Sequence, residues 1–239
     1  MPDALPFPLT TPDGIIRRRA QILGALLAAD EGLCAVPVTS IRRSTLQMMF
    51  SLYDEVFFGG FLARFYGQLP VTLSPRLISA AGKFVYTRAS APVKAEIRLS
   101  GDFLFRLTDG PFLLNGLNVA TAQEAFLVVF EHELCHAAEF ALYGATGHSK
   151  RFLALANMLF GHTDLRHSLP TRRSEAAENG LLVGFRASFP FEGRRLTGIV
   201  SYIGKTATVM VPDARGGYRD GRGRRFAKYR VPLTLLKRE

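Results

Sequence analysis

The chain of 239 residues predicts an α+β protein in two modules, a helix-rich body followed by a small antiparallel β-barrel. Three observations carry that reading. Apolar residues recur at helical spacing in long stretches before residue 161. Short strand-like runs separated by turn residues fill positions 181–239. Charge divides the same way: 181–239 hold 13 Lys/Arg against 4 Asp/Glu, while 17 and 16 precede them, so +9 of the net +10 sits in the last quarter.

Taken in order, Arg17, Arg18 and Arg19 followed by the apolar stretch 20–29 imitate a secretory signal. Gln21 interrupts that stretch, Asp30 and Glu31 close it, and it starts late, after Pro2, Pro6, Pro8 and Pro12. An amphipathic surface helix over about 15–31, ended by Gly32, is the better reading. A second helix is predicted over about 44–58, with Leu46, Met49, Phe50, Tyr53 and Phe57 on one stripe and Gly59-Gly60 stopping it. Strand-like runs at 71–74, 83–88 and 95–100 predict a small sheet.

Thr121 and Glu124 have the spacing of a capping box, so a helix begins there and runs through an apolar segment to Tyr143-Gly144. Ser149 caps the next helix, whose broad apolar face ends at Gly161. The polar stretch 166–180, with Pro170, reads as a linker in which Arg172-Arg173 is a candidate site of self-cleavage. Beyond it, strand-like runs at 181–189, 196–203, 206–211 and 225–236 suit a small antiparallel barrel. The boundaries expected are 1–40 for an N-terminal coil and helix, 41–165 for a central domain, 166–180 for the linker and 181–239 for the barrel.

Composition narrows the function classes. With 48% hydrophobic and 21% charged residues the chain can bury a real core, which excludes disorder throughout. The longest apolar run, 22–29, falls far short of the roughly 20 residues that span a bilayer. Cys34 and Cys135 are too few for a disulfide framework and fit a reducing compartment, hence an expected place in the cytoplasm, at the nucleoid if the cell is bacterial. A nearly neutral body joined to a basic end suggests that the second module faces a polyanion such as nucleic acid. Arg219, Arg222, Arg224, Arg225, Lys228 and Arg230, interleaved with Tyr218, Phe226 and Tyr229, favour backbone contacts plus base stacking.

The sharpest motif is His132-Glu133-Leu134-Cys135-His136, an H-E-x-x-H in the middle of the capped helix. Residues i and i+4 share a helical face, so both imidazoles reach one metal, with Zn²⁺ the natural occupant for nitrogen ligands. Glu133 then stands beside the metal rather than on it, where a carboxylate can take a proton from an acidified water. Cys135 turns away from that face and reads as a small core residue.

A catalytic zinc takes three protein ligands and keeps a position open, which leaves Glu139, His148, His162, Asp164 and His167 as candidates for the third. Glu139, one turn past His136, points beyond the metal and is either an orienting group or a solvated helix charge. His148 fits best, because Gly144 and Gly147 let the chain reverse and bring back a histidine at the start of the next helix.

Leu142 stands where a metzincin would place its third histidine. The interval from His136 to Gly147-His148-Ser149-Lys150-Arg151-Phe152 instead resembles the SprT-like, or Spartan-type, metalloprotease family, in which H-E-x-x-H is followed by G-H-x-x-x-F. Upstream, Phe57-Phe58-Gly59-Gly60-Phe61-Leu62, Val71-Thr72-Leu73-Ser74, Ala81-Gly82 and Ile97-Arg98-Leu99-Ser100 resemble that family's text in order, so the likeness covers about 41–165. The resemblance implies a zincin-like fold, with His132, His136 and His148 as zinc ligands and Glu133 as the catalytic base. It also implies proteolysis of proteins on DNA, especially DNA-protein crosslinks, with single-stranded or junction-containing DNA as partner and trigger.

A strand at 83–88 lying along the cleft would hold extended substrate by strand addition. Tyr86 and Arg88 beside it suit packing better than stabilisation of an oxyanion. The chain departs from the family in lacking a cysteine zinc ribbon. In its place Gly184, Gly198-Ile199-Val200 and Ala207-Thr208-Val209 resemble small Tudor-like or KOW-like barrels. Two other functions fit the same residues: a general zinc peptidase whose barrel binds protein, and a non-enzymatic nucleic-acid-binding protein with structural zinc.

Overall fold

Proline is welcome in the first turn of a helix, where an amide has no intrahelical partner, and Thr11 just before Pro12 accepts a hydrogen bond from the Gly14 amide at 3.2 Å. In the computed structural model, which describes residues 5–78, 80–87, 93–165, 169–170 and 172–239, these two residues open α1 (Pro12–Ala29). Its Ile15, Ile22 and Leu26 are buried and its Arg17 is exposed, the amphipathic pattern expected. The helix stops at Asp30 and not at Gly32, because the extended Asp30 turns its side chain elsewhere: Oδ2 accepts from the Arg42 amide at 2.8 Å and the Thr45 hydroxyl at 2.6 Å. After the short α2 (Glu31–Cys34), that carboxylate braces the start of α3 (Arg43–Phe58).

Burial raises the Asp30 carboxyl, but the hydrogen bonds from the Arg42 amide and the Thr45 hydroxyl outweigh it and hold the group below its ordinary value of 3.8. A depressed folded-state pKa contributes stability that is complete above the unfolded value and lost as pH falls through the folded one. Asp30→Ala is therefore expected to cost about 1 kcal/mol at pH 7. Urea unfolding of both proteins should show the gap closing as pH drops below about 3.8, the ordinary value.

Gly59 (φ 55°) and Gly60 (φ 77°) adopt the left-handed conformation that ends α3, and the Asp54 carboxylate then accepts from the Leu62 and Ala63 amides at 2.9 and 3.0 Å. This starts α4 (Phe61–Tyr66). Three strands follow, β1 (Val71–Ser74), β2 (Gly82–Thr87) and β3 (Lys94–Ser100). Their spatial order is β1-β3-β2, parallel between β1 and β3 and antiparallel between β3 and β2, so β2 lies at an edge. Ser100 caps α5 (Gly101–Leu104). The hairpin of β4 (Phe112–Leu114) and β5 (Leu117–Val119) turns through Asn115 (φ 49°) and Gly116 (φ 80°), the positive pair a tight hairpin requires.

Thr121 and Glu124 form both halves of a capping box and launch α6 (Ala122–Tyr143), which ends at Gly144 in the left-handed conformation. Ser149 caps α7 (Lys150–Phe160). Tyr53, Phe57, Phe130 and Phe160 meet edge to face where α3, α6 and α7 converge. The fold is thus α+β. The first unit runs from Met1 to Leu169, so α1 belongs to the same unit as the central helices.

The second unit, Pro170–Glu239, differs from expectation in two places. The stretch read as linker contains α8 (Arg172–Glu178), whose Ala176 is buried with Leu181, Phe189 and Val209. Self-cleavage at Arg172-Arg173 would have to unwind that helix, since proteases take extended chain. The strands are β6 (Arg186–Phe191), β7 (Arg194–Ile203), β8 (Thr206–Pro212), β9 (Tyr218–Arg219), β10 (Arg225–Pro232) and β11 (Lys237–Arg238). Their order is β11-β6-β7-β8-β10-β9, all antiparallel. Among the described residues β11 and β9 do not pair, so the sheet is open where a closed barrel was expected. The two end strands are two residues long and offer too few hydrogen bonds to close it. No helix among the described residues is long and apolar enough to cross a membrane.

Candidate metal centre

One helical turn separates His132 from His136 on α6, and the reversal after Gly144 returns His148 to them. The Nε2 atom of His148 lies 2.9 Å from that of His132 and 3.1 Å from that of His136. Among the described residues these three form the one group of histidine, cysteine or carboxylate side chains arranged to hold a metal ion. Tetrahedral ligands at 2.0–2.1 Å from zinc stand about 3.3 Å from each other, so the spacing suits a cation of that size.

Each ring is held from outside the group. The His136 Nδ1 lies 2.8 Å from the Thr146 hydroxyl; with the ring proton on Nδ1, its Nε2 lone pair points toward His148. Burial, with His148 close by, pushes the His136 pKa down to about 4, which keeps the ring neutral and able to coordinate. The buried Phe152 ring forms a floor below all three, with centroid distances of 5.0, 4.3 and 5.4 Å to His132, His136 and His148.

Glu139 resolves to the first of its two readings. It is fully buried, accepts from the Gly147 amide at 3.0 Å and from Arg151 Nε at 2.9 Å, and so fixes the loop that presents His148. Arg151 in turn stacks on Tyr143 at 4.1 Å.

Glu133 is buried beside the histidines, and burial lifts its carboxyl to about 8 against a hydrogen bond from the Phe84 backbone. Gly82 is what lets it sit there. A Cβ at Gly82 would lie 2.7 Å from both Cγ and Oε1 of Glu133, closer than any packed pair. Gly82→Ala is expected to displace the carboxylate while sparing the three histidines: metal affinity measured by competition with a chelator stays within about twofold, and any activity that needs Glu133 falls about a hundredfold.

A cleft of about 340 Å³ opens over this centre, lined by Gly82, Lys83 and Phe84 of edge strand β2, by Leu114 and Asn115 of the hairpin, and by the histidines with Glu133. Tyr86 packs on Phe84 and Phe140 at 5.5 and 4.2 Å rather than lining the cleft, while Arg88 lies outside the described residues.

The other candidate ligands go elsewhere. His162 is buried behind the centre, with Nε2 3.0 Å from Glu131 Oε2. Asp164 accepts from the Leu165 amide, and His167 lies outside the described residues. Cys135 is fully buried in the core. A network not visible in the sequence surrounds Glu131. Arg19 donates to both its oxygens at 2.7 Å and to the Phe160 carbonyl at 3.0 Å, and the Tyr53 hydroxyl donates to Oε1 at 2.8 Å. Burial pulls the Glu131 carboxyl up, yet the Arg19 charge and the bonds from His162 and Arg19 hold it below the usual value.

In the second unit the six basic residues proposed to meet nucleic acid fall in separate places. Lys228 and Arg230 alternate along β10, Arg219 and Arg225 pair across β9 and β10, and Arg225 Nε donates to the Gly216 carbonyl at 2.9 Å. Arg222 and Arg224 lie in the turn organised by Asp220, with Arg224 ion-paired to it at 2.8 Å. No protein-family model and no curated protein matches this chain.

Proposed function

We propose that this protein is a zinc-dependent endopeptidase that acts on proteins bound or crosslinked to DNA. In this reading the first unit is a zincin-like, SprT-type domain, and the second is a basic module of the Tudor or KOW kind. The observation that carries the proposal is the convergence of three imidazoles, with His148 Nε2 within 3.1 Å of the Nε2 atoms of the other two, beside a buried carboxylate and lining an open cleft. Zinc in that set would supply Lewis acidity and a water acidified to about pKa 7.

The chain's own residues account for the rest. His132, His136 and His148 would hold the ion, Thr146 and Phe152 orient the rings, and Glu133, placed by Gly82 and returned to its anionic form by the charge of a bound cation, accepts and returns a proton. Strand β2 lies at the edge of its sheet and lines the cleft, and an extended peptide can add to such an edge as a further strand with little demand on its sequence. Structural zinc is normally closed by four protein ligands, and a cleft above three histidines favours a catalytic site. The DNA half of the proposal draws on the basic charge of residues 181–239 and on the family resemblance, and the cysteine content favours the cytoplasm as the place of action.

The test is to offer the zinc-loaded full chain one substrate protein in two forms, crosslinked to single-stranded DNA and free. The expected result is metal-dependent cleavage of the crosslinked form and little of the free form, abolished by chelation. Equal cleavage of both would make the protein a general zinc peptidase. Tight zinc binding with no cleavage would make it a nucleic-acid-binding protein.

A further inference from the structure

Antiparallel register places cross-strand partners on the same side of a sheet, so the pairings of the second unit sort its side chains into two faces. One face carries Ala187, Val200, Ala207, Val209 and Val231, all buried in the core. The opposite face carries three rows. Tyr202, Thr208 and Arg230 make the first, Ile199, Met210 and Lys228 the second, and Pro212, Phe226 and Tyr218 the third. Arg186 extends the middle row beside Ile199.

The chemistry of this face is unusual for a surface. Tyr202 is 52% exposed, Tyr218 50% and Ile199 41%, although burying such groups in the core is what drives folding. The cations stand among the rings: the Lys228 ammonium is 5.4 Å from the centre of Tyr218, and the Arg224 guanidinium 5.9 Å from that of Phe226. None of the four acidic residues of 181–239 belongs to the rows: Glu192 lies in the turn before β7, Asp213 and Asp220 lie beyond the end of β8, and Glu239 ends the chain. A partner for such a face must bring negative charge and flat apolar surface together.

We infer that the outer face of this sheet is a binding platform for single-stranded DNA, with Tyr202 and Tyr218 stacking on bases while Arg186, Lys228 and Arg230 meet phosphates. A duplex hides its base faces and leaves the tyrosines without a partner, whereas an unpaired strand exposes both features at once. From strand spacing and rise, the two tyrosines lie about 20 Å apart across the face, room for a few nucleotides between them. This deepens the DNA half of the function proposed above and moves its emphasis from the arginine-rich turn to the sheet face.

The test measures fluorescence anisotropy of labelled oligothymidylate of about 15 nucleotides with the full chain, and of a duplex of the same length, across a salt series. Single-stranded DNA is expected to bind at least tenfold more tightly than duplex. Tyr202→Ser and Tyr218→Ser should each weaken it about tenfold with the salt slope unchanged, because stacking releases no counterions. Lys228→Gln should instead flatten the slope by about 0.7. Circular dichroism checks that each exposed-site variant stays folded.

Equal affinity for duplex, or tyrosine variants that bind like wild type, would overturn the platform and leave a merely basic surface. Absence of DNA binding alongside zinc-dependent cleavage of free protein would sink this inference and leave the peptidase standing. Tight, tyrosine-dependent binding without any cleavage would do the reverse.

Discussion

Under the proposed function, Glu133→Gln is expected to keep its metal and to lose peptide hydrolysis by about three orders of magnitude. Glutamine has the same shape, so the contact with Gly82 and the packing around the buried side chain survive. The three imidazoles that make the metal set do not include residue 133, which leaves the ligand field untouched. What the amide cannot do is accept a proton, and general acid–base catalysis contributes about 10²–10⁴. Metal content by atomic emission and turnover of a quenched peptide, measured on the same preparation, check both halves. Loss of zinc from the variant would make Glu133 a ligand, and unchanged turnover would remove it from the chemistry.

Arg19→Ala should be the most destabilising single change in the first unit outside its hydrophobic core. Glu131 is fully buried, and the Arg19 guanidinium bonds to both its oxygens. Deleting one partner strands a charge in the interior, which costs about 3–5 kcal/mol. For a unit of this size that is a fall on the order of 10 °C in melting temperature. Arg19→Lys should recover only part of the loss, since an ammonium cannot make the paired contact. Tyr53→Phe, which removes a single hydrogen bond to Glu131, should cost about 1 kcal/mol. A deficit below about 1 kcal/mol for Arg19→Ala, measured by thermal and urea unfolding, would mean that solvent reaches the carboxylate.

These two expectations differ in how far the sequence foretells them. Glu133 and its histidines are legible because H-E-x-x-H is a local pattern on a helix whose start is written in Thr121 and Glu124. His148 follows from glycines that permit a return. The Glu131 network joins residues 112 positions apart, and no periodicity or cap records such a meeting. Glu139 shows the same limit: its spacing leaves two readings, and only the Gly147 amide and Arg151 decide between them.

The fold divides along similar lines. Long amphipathic helices and β1 are visible in pattern. The hairpin at Asn115-Gly116 escapes notice although Asn-Gly is a turn signal, because its strands are three residues each, too short to show alternation. α8 hides in a polar stretch, where among the described residues Ala176 is the buried one that docks it. Closure of the second sheet cannot be read from strand count, because it depends on hydrogen bonds at the two shortest strands.

The Phe152 floor bears on how an ion would enter and leave this site under the proposed function. In a zinc finger the metal is the core, and removing it unfolds the domain. Here the imidazoles rest on an aromatic ring that is itself packed into the main core, and Thr146 steadies one of them from behind. Packing on Phe152 and the contact with Thr146 thus contribute to ordering the imidazoles independently of an ion. Under the proposed function, removing an ion from this site would leave the fold standing, and reloading would be governed by access through the cleft and not by refolding.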